Sequence, residues 1–385
     1  MPWRSKFHAA RHVIRFGLAL FCCSGLVLSG CASSLGPRSI PVARYQYNEA
    51  IGRSQDEQML LNLVRLRYQD SPQFLDLDSV VASYSISADL NVNLGIANAA
   101  GDITRYIGSD NKLFGWSDSP TVTYTPLKGD EFAKRTMTPI KPELLMLLSQ
   151  GGWGIERLML CCVQQLNSLP NARRFIDLPK QDSDASSPLA WVNRFKEFQY
   201  TVRKLRFLQD NGYIQLIPGN ESSKSILIGS GPIPLDDQAK AALKDVAKLL
   251  GVSRDVEMYF ITEPAPTRKP AEIQVHSRSL LGTMAFLAQG VEVPLSHQTD
   301  GLVKKPVDIA GKPIPPSEIT LGYFKVQSSA DRPQSAAVQV HYREHWFWIA
   351  DNDLESKGTF TLLNQIFNLQ AASNQNLKPL FTLPR

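Results

Sequence analysis

Residues 80–96 read Val-Val-Ala-Ser-Tyr-Ser-Ile-Ser-Ala-Asp-Leu-Asn-Val-Asn-Leu-Gly-Ile, and their order decides the fold class. From Val80 the even positions are Val, Ala, Tyr, Ile, Ala, Leu, Val, Leu and Ile. From Ser83 the odd positions are Ser, Ser, Ser, Asp, Asn, Asn and Gly. A period of two sends successive side chains to opposite faces of an extended chain, so this stretch predicts a strand. At ~3.3 Å per residue it would reach about 55 Å, roughly three times an ordinary strand. A Gly/Asn/Asp-rich stretch follows, and Pro120-Thr-Val-Thr-Tyr-Thr125 alternates again. Together they predict one long antiparallel hairpin over 80–125, with its tip near 97–118.

Two placements of such a hairpin are consistent with the pattern. It can lie on the protein's own core with Ser, Asn and Asp facing water, as one-sided antiparallel strands do. Alternatively, a membrane strand needs only ~9–11 residues that alternate apolar-out and polar-in. Several chains could then each give one hairpin to a closed barrel, since lipid tolerates no open edge. Arg105, Asp110 and Lys112 interrupt the approach to the second strand, and this favours the first placement.

Outward from the hairpin, apolar stripes mark helices. Ser54 and Glu57 have capping-box spacing before Leu60, Leu61, Leu63 and Val64, so a helix starts near Ser54. Arg65 and Arg67 fall on its solvated face, and Asp70-Ser71-Pro72 stops it. Further helices follow at Gly129, at Pro142 and at Ile155, the last with apolar residues at Leu158, Met159, Cys162, Val163 and Leu166. A longer one from Pro188 carries the seam Trp191, Phe195, Phe198, Val202 and Leu205. Tyr213–Ile217 and Ser225–Ile228 read as a small hairpin, Pro234 to Gly251 as a capped helix, Val256–Thr262 as a strand and Ser277–Gln289 as a helix. Residues 295–318 read as a surface loop, Ile319–Val326 and Ala336–Tyr342 as strands, and Asp351 onward as a last helix to Leu369. The expected class is α+β: antiparallel strands, including one long hairpin, with several packed amphipathic helices. Residues 44–180 form an N-terminal α+β region and 188–385 a C-terminal one, joined by the linker Gln181-Asp-Ser-Asp-Ala-Ser-Ser187.

The first 31 residues have another character. Arg4, Lys6, Arg11 and Arg15 precede an apolar run from Phe16 to Leu28 that is short for a spanning helix. Leu28, Ser29 and Gly30 then lead into Cys31 as a lipobox does. We expect 1–31 to be a lipoprotein signal peptide. Leu28, Ser29 and Gly30 would be read by the signal peptidase, and Cys31 would carry the lipid. Residues 32–43 would be a tether. Of 41 basic residues four lie in the signal, and the remaining 37 face 36 acidic ones. The basic pI near 8.8 is therefore no clue to partners, and a nucleic-acid binder is excluded for want of a basic excess in the folded part. Cys22 and Cys23 fall in the signal. Cys161 and Cys162, adjacent on a helix, point to different sides and read as two buried small hydrophobes rather than a disulfide.

No motif specifies a reaction. His341 and His345 have H-x3-H spacing, but on a strand and turn, with His341 on the polar side away from Val338, Val340 and Tyr342. That is not a zinc site. Counted from Asp351, a calcium loop would need Gly at Ser356 and Glu at Leu362, so Asp353 reads as a helix cap and Glu355 as its dipole partner. Gly229-Ser230-Gly231 is followed by Pro232 and completes no phosphate-binding motif. No catalytic residue, metal or cofactor is expected.

Residues 53–72, Pro120–Ile140 and Trp346–Phe360 resemble a family of uncharacterised Gram-negative bacterial lipoproteins over most of the mature chain. The resemblance implies no activity and no catalytic residue. In bacterial lipoproteins an aspartate after the cysteine marks inner-membrane retention, so Ala32 implies the outer membrane. The expected function is that of a non-enzymatic structural, assembly or binding factor, anchored by lipid at Cys31 on the periplasmic side, with an envelope protein or a second copy of itself as partner. The alternatives are a subunit of an oligomeric outer-membrane pore or export channel using the 80–125 hairpin, and a periplasmic envelope hydrolase.

Overall fold

The structure, a computed structural model, describes residues 40–81, 84–87, 115–118, 121–172, 188–217, 226–230, 233–254, 256, 258–304 and 314–372. Ten α-helices and thirteen strands occur among them, in an α+β arrangement. Helix α1 spans Ile40–Arg67. It begins well before Ser54, so the Ser54/Glu57 pair lies inside the helix, and residues 40–43 of the expected tether are helical. Its apolar residues Met59, Leu60, Leu63 and Val64 are buried. Arg67, expected on a solvated face, is also buried and donates to the Lys304 carbonyl at 3.0 Å. Burial pulls its pKa down to about 10.

The hairpin follows. Strands β1 (Leu75–Val81) and β2 (Tyr84–Ser87) run antiparallel to β4 (Thr121–Pro126) and β3 (Gly115–Asp118). Past the bulge near Asp78, Val80 pairs with Val122, and the same register holds from Tyr84 with Asp118 to Ser87 with Gly115. The bulge explains a phase change in the sequence. It moves the apolar side from Leu75 and Leu77 to Val80, so that one face is kept where a strict period of two would flip it. Residues 88–114, most of the long alternation and the tip, lie outside the described residues. The described part does not lie on the core. All six residues of β4 are exposed, and Leu75, Val122 and Tyr124 are 49%, 39% and 53% exposed. Among the described residues, the expectation of a hairpin folded on its own protein is corrected for β4, which is exposed along its whole length, while β1, the other strand of this ribbon, is half-buried.

Helices α2 (Gly129–Thr136), α3 (Pro142–Gln150) and α4 (Ile155–Cys162) come next. Helix α4 is shorter than its apolar spacing suggests. At Val163 the backbone turns extended (φ −112°, ψ 132°) and enters β5 (Val163–Leu166), followed by β6 (Leu169–Pro170). Helix α5 (Pro188–Asp210) buries Phe195, Phe198, Val202 and Leu205 as read, and Leu208 besides. Strands β7 (Ile214–Ile217) and β8 (Ile226–Ser230) form the small hairpin. Helix α6 (Asp237–Leu250) is capped by the Asp236 carboxylate, which accepts from Ala239 N, and ends on Gly251 in the left-handed region at φ 62°. Strands β9 (Met258–Thr262) and β10 (Glu272–Ser277) are parallel, not antiparallel, and β10 lies in a stretch with no strand reading. Gln274 holds the short crossover through the carbonyls of Ala265 and Thr267.

These strands make one six-stranded sheet in the order β6-β5-β10-β9-β8-β7. Strands from both sides of residues 181–187 share it, and one contiguous core runs from Met59 to Phe367. The loop expected over 295–318 contains α8 (Leu295–Thr299) and α9 (Pro316–Ile319), after α7 (Leu280–Leu287). Ile319–Val326 is not a strand; Ile319, Phe324 and Val326 are buried apolar anchors in a helix end and turns. A second sheet, β11 (Gln327–Ser329), β13 (His345–Ala350) and β12 (Ala336–Tyr342), packs through β12 on α1. Helix α10 (Leu354–Ala372) closes the described chain, with Asp353 accepting from Ser356 N at 3.0 Å as its cap.

Candidate functional site

The densest polar cluster forms where α1 ends. The chain turns at Gln69 (φ 63°), and Tyr68 is buried beside the helix it terminates. Its hydroxyl lies 2.7 Å from Nδ1 of His297, which α8 supplies. The rings of His297, Tyr342 and Phe347 stand edge-on to Tyr68, with centroids 5.7, 5.7 and 6.2 Å away. His345 meets His297 edge-on at 4.8 Å. Asp70 accepts from the Tyr342 hydroxyl, and from Arg343 at 3.0 Å. The Arg343 guanidinium lies 5.0 Å from the Tyr68 ring centroid. Tyr342 and His345 face each other across a two-residue turn, Arg343-Glu344, with both φ positive (46° and 63°). Such a turn matches strand twist but favours Gly or Asn, so two long charged residues there carry backbone strain.

The electrostatics keep the central pair neutral. Burial pushes the Tyr68 hydroxyl up to about 12. Burial, then His345 and Arg343, hold His297 below its ordinary value, with Asp300 and Glu344 opposing. The Tyr342 hydroxyl bond holds the Asp70 carboxyl low. The Tyr68 hydroxyl and His297 Nδ1 therefore share a hydrogen bond between two neutral groups. A phenol this hard to ionise and an imidazole this reluctant to protonate make a poor proton relay at neutral pH. The cluster is a joint that fastens α1 to α8 and to the β12–β13 turn. The linkage sign follows from the depressed His297 pKa. Above about 6.5 both folded and unfolded states hold a neutral ring. Below it the unfolded chain takes a proton that the folded one refuses, so stability falls with pH until the folded value is passed. Urea unfolding of the His297→Asn variant should show a shallower loss between pH 6.5 and 5 than the wild type. An equal slope would remove His297 from this role.

A second cluster fixes the ribbon. The Gln58 amide on α1 accepts from Leu75 N at 2.7 Å and donates to Leu75 O at 3.3 Å. One turn later the Asn62 amide accepts from Gln73 N at 2.8 Å and donates to Gln73 O at 2.7 Å. The two side chains replace the backbone of a neighbouring strand. Buried Arg135 pairs with Asp76 and lies 3.9 Å over the Phe367 ring, holding the same base from α2.

The sequence-selected residues fare differently. Leu28, Ser29, Gly30 and Cys31 lie outside the described residues, as do Gly231 and Pro232. His341 and His345 stand on opposite faces of the second sheet: His341 pairs with Trp346, while His345 pairs with Tyr342 toward α1. The histidine that His345 meets is His297, read earlier as part of a loop. Asp351 pairs with Lys357 at 2.7 Å and Asp353 caps α10, so they do not converge on one point. Cys161 and Cys162 are buried free thiols, the first pushed up to about 12 and the second well above its ordinary value, both by burial. Among the described residues no three His, Cys, Asp or Glu are grouped to hold a metal ion. A pocket between α3, α4 and the six-stranded sheet is small and wholly apolar, lined by Pro142, Leu145, Met159, Ile261 and Val275 among others.

The chain matches no family model, no curated protein and no solved structure. Function must be argued from its own residues.

Proposed function

We propose that this chain is an outer-membrane lipoprotein, held by a lipid on Cys31, that acts on the periplasmic side without catalysis as a structural, assembly or binding factor. The observation that carries the reading is the ribbon. A body with one contiguous core carries the strand pairs β1 (Leu75–Val81) with β4 (Thr121–Pro126) and β2 (Tyr84–Ser87) with β3 (Gly115–Asp118), with Val122 and Tyr124 turned to solvent. Large apolar residues on an exposed strand serve contact with another surface, not the stability of their own domain. Among the described residues no helix is long and apolar enough to cross a membrane.

A second reading, the oligomeric pore subunit, is favoured by the bulge. It keeps Leu77, Tyr124, Val80 and Val122 on one side of the ribbon, the one-sided apolar pattern that a lipid-facing strand requires. Fractionation of a Cys31→Ser protein, exported by a different signal, separates the two. A tethered factor is expected to leave the membrane and appear in the soluble periplasm. Retention in carbonate-washed membranes would replace it with the pore reading. Recovery of the unaltered protein in the cytoplasm would sink both.

A further inference from the structure

The second sheet has two unlike faces. Val338, Val340, Phe347 and Ile349 are buried on the side of α1. The opposite side carries Trp346 and Trp348, half-buried, on the central strand β13. Cross-strand registry surrounds each with hydrogen-bonding groups. Gln327 and Gln339 flank Trp348, and Ser329 and His341 flank Trp346. The Arg332 guanidinium lies 5.2 Å from the Trp346 ring centroid, and the His341 ring 5.1 Å from it. Gln339 Oε1 is buried without a hydrogen-bond partner.

We infer that this face binds the glycan strand of cell-wall peptidoglycan, a β-1,4-linked chain of N-acetylated hexosamines. Two indoles at positions i and i+2 of one strand stand about 7 Å apart on the same face. Their negative π-faces accept the weakly positive axial C–H patch of a pyranose ring. The hydroxyl and acetamido groups at the ring's periphery then meet the two Gln amides, the Ser329 hydroxyl and the His341 imidazole. The Gln339 Oε1 is buried without a donor, and turning the amide outward would let it accept from an acetamido N–H, which a lipid acyl chain does not offer. A bilayer-facing aromatic cluster would be set among aliphatic side chains; here the flanking positions are amide, hydroxyl, imidazole and guanidinium. The choice of this polymer over other N-acetylated glycans rests on the periplasmic placement proposed above.

The test uses the full chain in detergent micelles: tryptophan fluorescence titrated with chitotetraose, and co-sedimentation with purified peptidoglycan sacculi. Saturable binding of both is expected. Trp346→Ala and Trp348→Ala should each weaken it by about ten-fold or more, as the loss of a central aromatic anchor does. Gln339→Leu, which keeps both indoles, should weaken it several-fold with an unchanged unfolding midpoint. Absence of saturable binding to chitotetraose and sacculi overturns the inference, as does equal affinity in all three variants. Quenching of the wild-type emission by vesicles of brominated phosphatidylcholine, lost in the Trp346→Phe/Trp348→Phe double variant, would assign the face to the bilayer instead. Failure of the placement is distinguishable, because a chain that binds chitotetraose but fractionates with the cytoplasm loses its periplasmic role and keeps its glycan site.

Discussion

Replacing Arg278 by alanine is expected to destabilise the fold by about 3–5 kcal/mol. Arg278 is buried, and among the described residues no carboxylate pairs with it. Its Nη1 donates to the carbonyls of Leu160 and Cys161 at 2.7 and 2.8 Å, and its Nη2 to that of Ala172 at 3.0 Å. Its own N–H donates to Cys162 O at 2.7 Å. The acceptors at Leu160, Cys161 and Cys162 exist because α4 stops abruptly at Cys162, and a helix that becomes a strand leaves its last carbonyls without i+4 donors. The guanidinium serves them at the negative end of the helix dipole, with its other face 4.2 Å from the Phe286 ring centroid. Burial draws its pKa down to about 10, so it remains charged at neutral pH. Alanine would leave the Cys161 and Ala172 carbonyls without their donor, the Leu160 carbonyl keeping its bond from Asn171 Nδ2 at 2.8 Å, and would open a cavity against Phe286. Lysine would keep a charge without the planar fork and should recover only part of the loss. Urea unfolding at pH 7 measures it; a change under about 1 kcal/mol would mean that the carbonyls find other donors.

Phe198→Ala should cost a similar amount, about 3–5 kcal/mol, by a different route. Phe198 is fully buried in the middle of α5, between Phe195 and Val202 on the face turned to α4 and α6. No polar group depends on it, so its removal is loss of buried apolar area plus an unfilled cavity. Lys196→Ala, two residues away on the exposed side, should stay within about 0.5 kcal/mol. If both variants unfold at the same denaturant concentration, the 4,3 seam of α5 is not what anchors it.

The two residues also mark the limit of what the chain states about itself. Phe198 was legible because helical periodicity is local: Phe195, Phe198, Val202 and Leu205 announce their shared face by spacing alone. The caps at Asp236 and Asp353 and the strand over Ala336–Tyr342 were legible for the same reason. Arg278 was not, because its role depends on three carbonyls more than a hundred residues upstream and on where α4 breaks. The break itself was hidden, since Val163 and Leu166 continue the apolar spacing of a helix while taking a strand backbone. Strand β10 was missed although Glu272-Ile-Gln-Val-His-Ser277 alternates, because two apolar residues, Ile273 and Val275, are too short a pattern to mark a strand. The Tyr68–His297 joint closes over 229 residues and has no spacing to read. Asn62, a lone amide in the run Met59-Leu-Leu-Asn-Leu63, was a visible anomaly with a readable meaning: a buried polar group must have a partner.

That asparagine, with Gln58 one turn earlier, gives the ribbon a mechanical address. Two amides gripping alternate peptide units make a joint that resists sliding, because any shift of the strand must break four hydrogen bonds together. A load applied to the ribbon is therefore delivered to α1 in shear through these amides, and to α2 through the Asp76–Arg135 pair.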